Sequence, residues 1–340
     1  MRVMQVMAGA EFGGAEVFFT RLVLALDDAG LEQRVVIRRN ERRAAALAAG
    51  GIDLVQLPFG GLFDLRTPLA LKREIGDFRP DIVLTWMNRA TRLCRKGDFV
   101  WAARLGGYYD LKYYQGCDHL IGNTEDIVQH LVGGGWSEER AHYLPNFVSD
   151  RRAPPIPRRE FYTPDRTPLL LALGRLHRNK AFDVLLRALT RVPSAYLWIA
   201  GEGPLRRELE GLAEHLAIKP RVRFLGWRED VAALFAACDI FVCPSRREPL
   251  GNVVIEAWAQ EAPVIAADSL GPGTLIEDME NGILVPVDDA DALAQAINFL
   301  LGDANLGRRL AAAGHRTYEE GFTKAAVVER YMAFFKEILS

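Results

Sequence analysis

Asp239-Ile240-Phe241-Val242-Cys243-Pro244-Ser245-Arg246-Arg247-Glu248-Pro249-Leu250-Gly251-Asn252-Val253-Val254-Ile255-Glu256-Ala257-Trp258-Ala259-Gln260-Glu261, followed by Pro263-Val264-Ile265-Ala266, is the stretch that decides the fold. A short apolar run, turn residues, a glycine, a helical run and a second apolar run read as strand, loop, helix and strand. In a doubly wound sheet, the loop at the carboxyl end of such a strand faces the ligand crevice. Glu248 falls in that loop, and Glu256 falls inside the helix that begins near Gly251. The amides of Gly251, Asn252 and Val253 are then first-turn donors, suited to anionic oxygens. Two carboxylates beside a row of amides suit a ligand with both hydroxyls and phosphates, a nucleotide sugar.

The alternation extends in both directions. Towards the N-terminus, strands are expected at 3–7, 33–37, 52–57, 81–85, 100–105, 119–121 and 141–144. Helices are expected at 15–29, 41–49, 68–78 and 123–131. Residues 151–168 break the pattern with five prolines, at 154, 155, 157, 164 and 168, and read as a linker. After it come strands at 169–173, 195–200, 222–225 and 282–287, and helices at 182–191, 204–216, 230–237, 290–301, 306–318 and 325–339. The fold class expected is α/β, two doubly wound Rossmann-like domains: residues 1–150, a linker at 151–168, and residues 169–324. The crevice between two such units is a default ligand site.

Composition is that of a packed globular protein: 340 residues, 49% hydrophobic, 25% charged and a net charge of -2. The basic excess of a nucleic-acid binder is missing. Cys94, Cys117, Cys238 and Cys243 form no CxxC pair and read as reduced thiols of a cytoplasmic protein. The first seven residues are too short and interrupted for a signal peptide, and no apolar stretch spans a bilayer, so any membrane contact is expected to be peripheral.

A nicotinamide fingerprint fails twice. Gly9 lacks its second glycine, and Gly201-Glu202-Gly203 carries Arg206 where the third belongs. Gly13-Gly14 at the entrance to the first helix fits either a plain tight turn or close approach of a phosphate or sugar. In Gly174-Arg175-Leu176-His177-Arg178-Asn179-Lys180, Arg175 and Lys180 fall at a strand's carboxyl end. There they serve either as a solvated basic loop or as two cations that hold a diphosphate leaving group. Asp289-Ala290-Asp291 reads as a helix start, so no metal site is expected.

These residues carry a resemblance. Gly13-Gly14-Ala15-Glu16, Gly174-Arg175 with Lys180, Gly201-x-Gly203, Phe224-Leu225-Gly226, Pro244-Ser245, Glu248 with Glu256, Pro263-Val264-Ile265 and Glu277 with Asn281-Gly282 together resemble the retaining family 4 glycosyltransferases of the GT-B fold. The match keeps the family's order and spacing through residues 169–324, and is thinner before them. It implies that Glu248 holds donor-sugar hydroxyls, that amides after Gly251 hold sugar and phosphates, and that Glu256 accepts from the ribose hydroxyls. It further implies that Arg175 and Lys180 neutralise the diphosphate, that Gly203 lines the donor site, that Gly226-Trp227-Arg228 lies near the base, and that the helix at 325–340 crosses back onto the first domain.

A first-domain histidine common among such proteins is missing from Arg104-Leu105-Gly106-Gly107-Tyr108-Tyr109-Asp110. His119 reads as strand core. Asp110 is the candidate polar group beside the acceptor, or a cap for the helix that starts at Leu111. Asn88, Arg89 and Arg92 follow a strand and are the candidate acceptor residues. With Arg95, Lys96, Arg38, Arg39, Arg42 and Arg43 they form either a solvated basic edge or a contact for an anionic membrane surface. The function expected is metal-independent, cofactor-free transfer of a sugar, from a UDP donor ahead of a GDP one, to a glycan or lipid-linked acceptor in bacterial envelope assembly. The alternatives are a non-catalytic nucleotide-sugar binder and a sugar-nucleotide epimerase.

Overall fold

Strands whose residues are buried almost without interruption need helices on both faces, and here that condition builds two parallel sheets. The computed structural model describes residues 1–11, 13–61 and 64–340. Of the expected loop at 8–14, Phe12 lies outside the described residues. The chain divides into two units, Met1–Phe147 with Lys324–Ser340, and Val148–Thr323.

The first unit runs β1 (Arg2–Met7), α1 (Gly14–Asp28), β2 (Glu32–Arg38), α2 (Glu41–Ala49), β3 (Leu54–Leu57), α3 (Arg66–Phe78), β4 (Ile82–Trp86), α4 (Met87–Leu93), β5 (Val100–Leu105), β6 (His119–Gly122), α5 (Glu125–Gly133) and β7 (Ala141–Tyr143). Its strands pair in parallel in the order β3-β2-β1-β4-β5-β6-β7, with Met7 opposite both Ile37 and Trp86. A polar chain crosses this core with its bonds made. Trp86 donates to Gln5, Gln5 to Gln33, and Gln33 to the Val23 carbonyl, at 3.2, 2.8 and 2.7 Å.

The second unit runs β8 (Leu169–Leu173), α6 (Phe182–Leu189), β9 (Tyr196–Ala200), α7 (Arg206–His215), β10 (Val222–Gly226), α8 (Val231–Ala237), β11 (Ile240–Cys243), α9 (Asn252–Ala259), β12 (Val264–Ala267), α10 (Leu270–Leu275), β13 (Ile283–Val285), α11 (Ala290–Gly302) and α12 (Ala304–Gly321). Its order is β10-β9-β8-β11-β12-β13, all parallel. A last helix, α13 (Lys324–Glu337), belongs to the first unit. There Val327, Tyr331, Phe334 and Phe335 share a core with Phe18, Phe19 and Trp86.

Strand order reverses at β1/β4 and at β8/β11, so the loops after these four strands line the switch-point crevice of each sheet. Two helices stand where the sequence reading placed none. α4 starts directly at the end of β4, at Met87 with φ 60°, and therefore carries Asn88, Arg89 and Arg92. α10 is six residues long and contains Gly271, Pro272 and Gly273, a composition without helical periodicity. Residues 151–168 are built into the second unit. Ile156 lies in its core, the Trp198 indole donates to Thr163 Oγ1 at 2.9 Å, and Arg158 bonds the Ala237 carbonyl and Asp239, both at 3.0 Å. Prolines have no amide to satisfy, so side chains tie this segment down.

Candidate active site

The loops after β8 and β9 set the floor of the second-unit site. Gly201 has φ 144°, and a Cβ there would stand 1.9 Å from the Gly174 carbonyl oxygen, so only glycine fits. Leu176 N donates to Glu202 O at 3.0 Å, and Leu205 N to Leu176 O at 3.1 Å. Gly203 makes room for the Leu176 backbone, 2.4 Å from where its Cβ would be. Its place in the sequence motif is thus explained by loop packing.

The loop after β8 then turns through Arg178–Lys180, and Arg247 N donates to Asn179 O at 3.2 Å, joining it to the loop after β11. Lys180 and Glu248, read separately in the sequence, form one partly buried ion pair. Burial lowers the Lys180 pKa, but the charges of Glu248, Cys243 and Glu256 outweigh it and raise the value above that of an ordinary lysine. Lys180 therefore stays cationic, and Glu248 and Glu256 both act on it. Its ammonium has three donors, enough for Glu248 and a phosphate oxygen together.

Gly251 caps α9 at φ 68° and ψ 24°, a conformation glycine adopts without strain. Val254 N and Ile255 N both donate to Gly251 O, at 2.8 and 3.2 Å, so the amides of Asn252 and Val253 precede the first intrahelical bonds. Glu256 is half-buried one turn further on. Arg175 is exposed and makes no ion pair among the described residues. Arg228 forks onto Asp230, at 2.8 and 2.5 Å, and lies over the Phe161 ring, beside an exposed Trp227.

Sequence reasoning missed the support beneath Glu248. Gly271 N, in α10, donates to the Glu248 carbonyl at 2.7 Å, and Ser269 Oγ, two residues earlier, is buried without a hydrogen-bond partner among the described residues. It also missed Arg246, which forks onto Asp183 at 2.9 and 2.7 Å. The charged run Arg246-Arg247-Glu248 was the local signal.

In the first unit the charged groups near the strand ends are mostly committed. Glu16 Oε1 accepts from Ala10 N at 2.7 Å, and Gly13 leaves space for the same carboxylate, whose Oε2 lies 2.2 Å from where a Cβ would be. Gly14 faces open space. Arg43 is buried and donates to the Ala10 carbonyl at 2.9 Å, so it drops out of the expected surface patch. Asn88 accepts from Tyr114, whereas Arg89 and Arg92 are exposed on α4. Asp110 faces solvent, caps the turn Leu111–Tyr113 through Lys112 N at 3.0 Å and pairs with the Lys112 ammonium, which lowers its pKa. The capping alternative accounts for it. His119 lies 3.0 Å from His142 across β6 and β7, against Phe334 of α13.

Arg104 is the largest surprise. It is 2% exposed, donates to Tyr331 Oη at 2.7 Å and Asn146 Oδ1 at 2.5 Å, and lies 4.7 Å from the ring centroids of both Phe18 and Trp86. Two aromatic faces and two neutral oxygens hold this cation.

Comparison with known proteins agrees with this layout. Residues 12–152 match the model described as Glycosyltransferase Family 4, and residues 167–303 that described as Glycosyl transferases group 1. The lipopolysaccharide core biosynthesis glycosyltransferase LpsE of Rhizobium meliloti is 37% identical, over 94% of this chain and 95% of its own. LpsD of the same organism is 34% identical over 98% of both chains. A glycosyltransferase of Rickettsia africae superposes with a TM-score of 0.87 at 20% identity, covering 100% of this chain and 98% of its own. Anabaena HepE, solved with UDP, gives 0.86 at 19% identity, over 99% of this chain and all of its own. These two share the GT-B fold. The chain belongs to the family 4 (group 1) glycosyltransferases, the family that includes the lipopolysaccharide core enzymes LpsE and LpsD.

Proposed function

We propose that the chain is a retaining glycosyltransferase that takes a sugar from a UDP donor, or a GDP donor as the second choice, and adds it to a lipopolysaccharide core acceptor without a metal. The observation that carries this reading is the Lys180–Glu248 pair beside the first-turn amides of α9. Lys180 and Arg175 face the diphosphate and take up the charge that grows on it as the glycosidic bond to phosphate breaks. Glu248 accepts from donor-sugar hydroxyls, and the amides of Asn252 and Val253 donate to sugar and phosphate oxygens. Glu256 accepts from the ribose hydroxyls. The acceptor oxygen attacks the sugar carbon on the face the phosphate leaves, and its proton passes to the departing phosphate oxygen. That route needs no first-domain histidine.

The lipopolysaccharide core assignment rests on LpsE and LpsD, which resemble this chain over nearly their whole length. The UDP preference rests on the fold shared with HepE, which was solved with UDP. Arg89 and Arg92 on α4, with Arg95 just beyond it, are exposed cations suited to an anionic acceptor or an anionic lipid surface. Among the described residues, no helix is long and apolar enough to cross a membrane.

The test is a panel of UDP-glucose, UDP-galactose, UDP-N-acetylglucosamine and GDP-mannose, scored by thermal shift and by release of nucleotide with and without EDTA. The expected result is one stabilising donor, slow hydrolysis in EDTA, and by NMR an unchanged anomeric configuration in the glycosylated product. Inversion would overturn the retaining assignment, and loss of turnover in EDTA the metal-independent one. Binding without turnover, even with core oligosaccharide present, would favour a non-catalytic binder.

A further inference from the structure

Three strand-end loops of the second unit meet at one guanidinium to which the chemistry above gives no role. Arg246 Nη1 donates to the Arg178 carbonyl at 2.9 Å and to Asp183 Oδ1 at 2.9 Å. Nη2 donates to Asp183 Oδ2 at 2.7 Å, and Nε pairs with Asp288, just after β13. Arg178 lies two residues before Lys180 and Asp183 three residues after it, so the guanidinium brackets Lys180 on both sides. Arg246 itself lies two residues before Glu248. Burial works against ionising Asp183, but the bonds and charge of Arg246 prevail and hold its pKa below the usual range, so the clamp is ionic at neutral pH.

We propose that Arg246 is the positioning residue that sets the spacing of Lys180 and Glu248, by forking onto Asp183 and holding the Arg178 carbonyl. The inference rests on the assignment of Lys180 and Glu248 to the donor site. The planar guanidinium satisfies two carboxylates and a carbonyl at fixed angles, which a lysine ammonium, a point charge on a flexible stem, does not do. Its donors are turned to the protein, so it acts on the reaction through Lys180 and Glu248. Asp183 is the other half of the clamp, and its carboxylate sits in the first turn of α6, where the helix dipole favours it.

The test uses the full chain and whichever of the four donors named above is turned over. Arg246→Lys and Asp183→Asn are each expected to lower kcat about 100-fold, with donor KM within about threefold of wild type, because a misplacement of ~1 Å suffices for that loss. In the Lys180→Ala background, Arg246→Lys is expected to add almost nothing, since both act through one group. A residue that only supports the fold would instead multiply its loss onto that of Lys180→Ala. Wild-type kcat in both Arg246→Lys and Asp183→Asn, beside an inactive Lys180→Ala, would overturn this inference alone, as would losses that multiply. Full activity of Lys180→Ala would overturn the donor-site reading and this inference with it.

Discussion

At the carboxyl ends of β8 and β11, charged side chains meet across loops: Lys180 with Glu248, Arg246 with Asp183. In the first unit, charged groups after β1 and on β5 turn inward, whereas Arg89 and Arg92 after β4 stay exposed. Glu16 and Arg43 tie down the loop after β1, and Arg104 is sealed between two rings and the phenol of Tyr331. Both sheets share the order 3-2-1-4-5-6, to which the first adds a seventh strand, so the strand arrangement does not decide which end carries exposed chemistry. What decides it is whether the charges find partners on neighbouring loops or within their own core.

The sharpest way to break that contrast is at the ion pair. Lys180→Ala and Glu248→Ala are each expected to lower kcat by about 100–1000-fold, the scale of a lost group that stabilises developing charge. Circular dichroism should be unchanged. Near-normal turnover by either variant would move the site elsewhere. Next in size is Glu256→Gln. If Glu256 holds the ribose hydroxyls, losing its charge should weaken UDP binding by about tenfold, or ~1.4 kcal/mol, by calorimetry. An equal loss of kcat at saturating donor would place Glu256 at the reacting carbon instead.

The first unit should answer in stability. Arg104→Met removes the donor to Tyr331 Oη and to Asn146 Oδ1 while keeping an apolar stem between Phe18 and Trp86. Leaving such buried acceptors without that donor costs about 1–3 kcal/mol. A melting temperature lower by ~2–4 °C for each kcal/mol is expected, with kcat at low temperature intact. A collapse of kcat with no change in melting would show that Arg104 works in the reaction and would dissolve the contrast.

The same contrast explains what could be read from the chain alone. The residues that the resemblance assigns to the donor lie in short runs: Glu248 and Glu256 on one loop and the helix after it, and Arg175 and Lys180 on another, so a short window of sequence holds each pair. The inward network of the first unit joins residues far apart in sequence. Arg104 and Tyr331 are 227 positions apart, and Arg43 reaches a carbonyl 33 positions away. No window of sequence contains both ends. The alternation of strands and helices was legible because burial on both faces makes each strand a continuous apolar run. α4 and α10 were not. One begins without a break from β4, and the other is built of glycine and proline residues that no helical pattern announces.

The smallest expected effect separates packing from chemistry at the only close histidine pair among the described residues. Burial pushes His142 down to about 4, helped by the neighbouring His119, and burial also lowers His119. Around them, Glu337 of α13 and Asp118 raise one or both values, whereas Arg140 and Lys96 lower that of His119. An unfolded histidine titrates near ~6.5, so between that value and about 4 the unfolded chain binds protons that folded His142 refuses. The stability this group contributes is therefore lost as pH drops through that window and is constant above it. His142→Phe keeps a ring against Phe334 and removes this proton uptake. Its melting temperature should fall less than that of wild type between pH 7 and pH 4.5, while the pH profile of kcat stays unchanged. Parallel melting curves would mean that folded His142 takes up its proton at the pH of an unfolded histidine. A changed kcat profile would give a histidine of the first unit a part in the reaction.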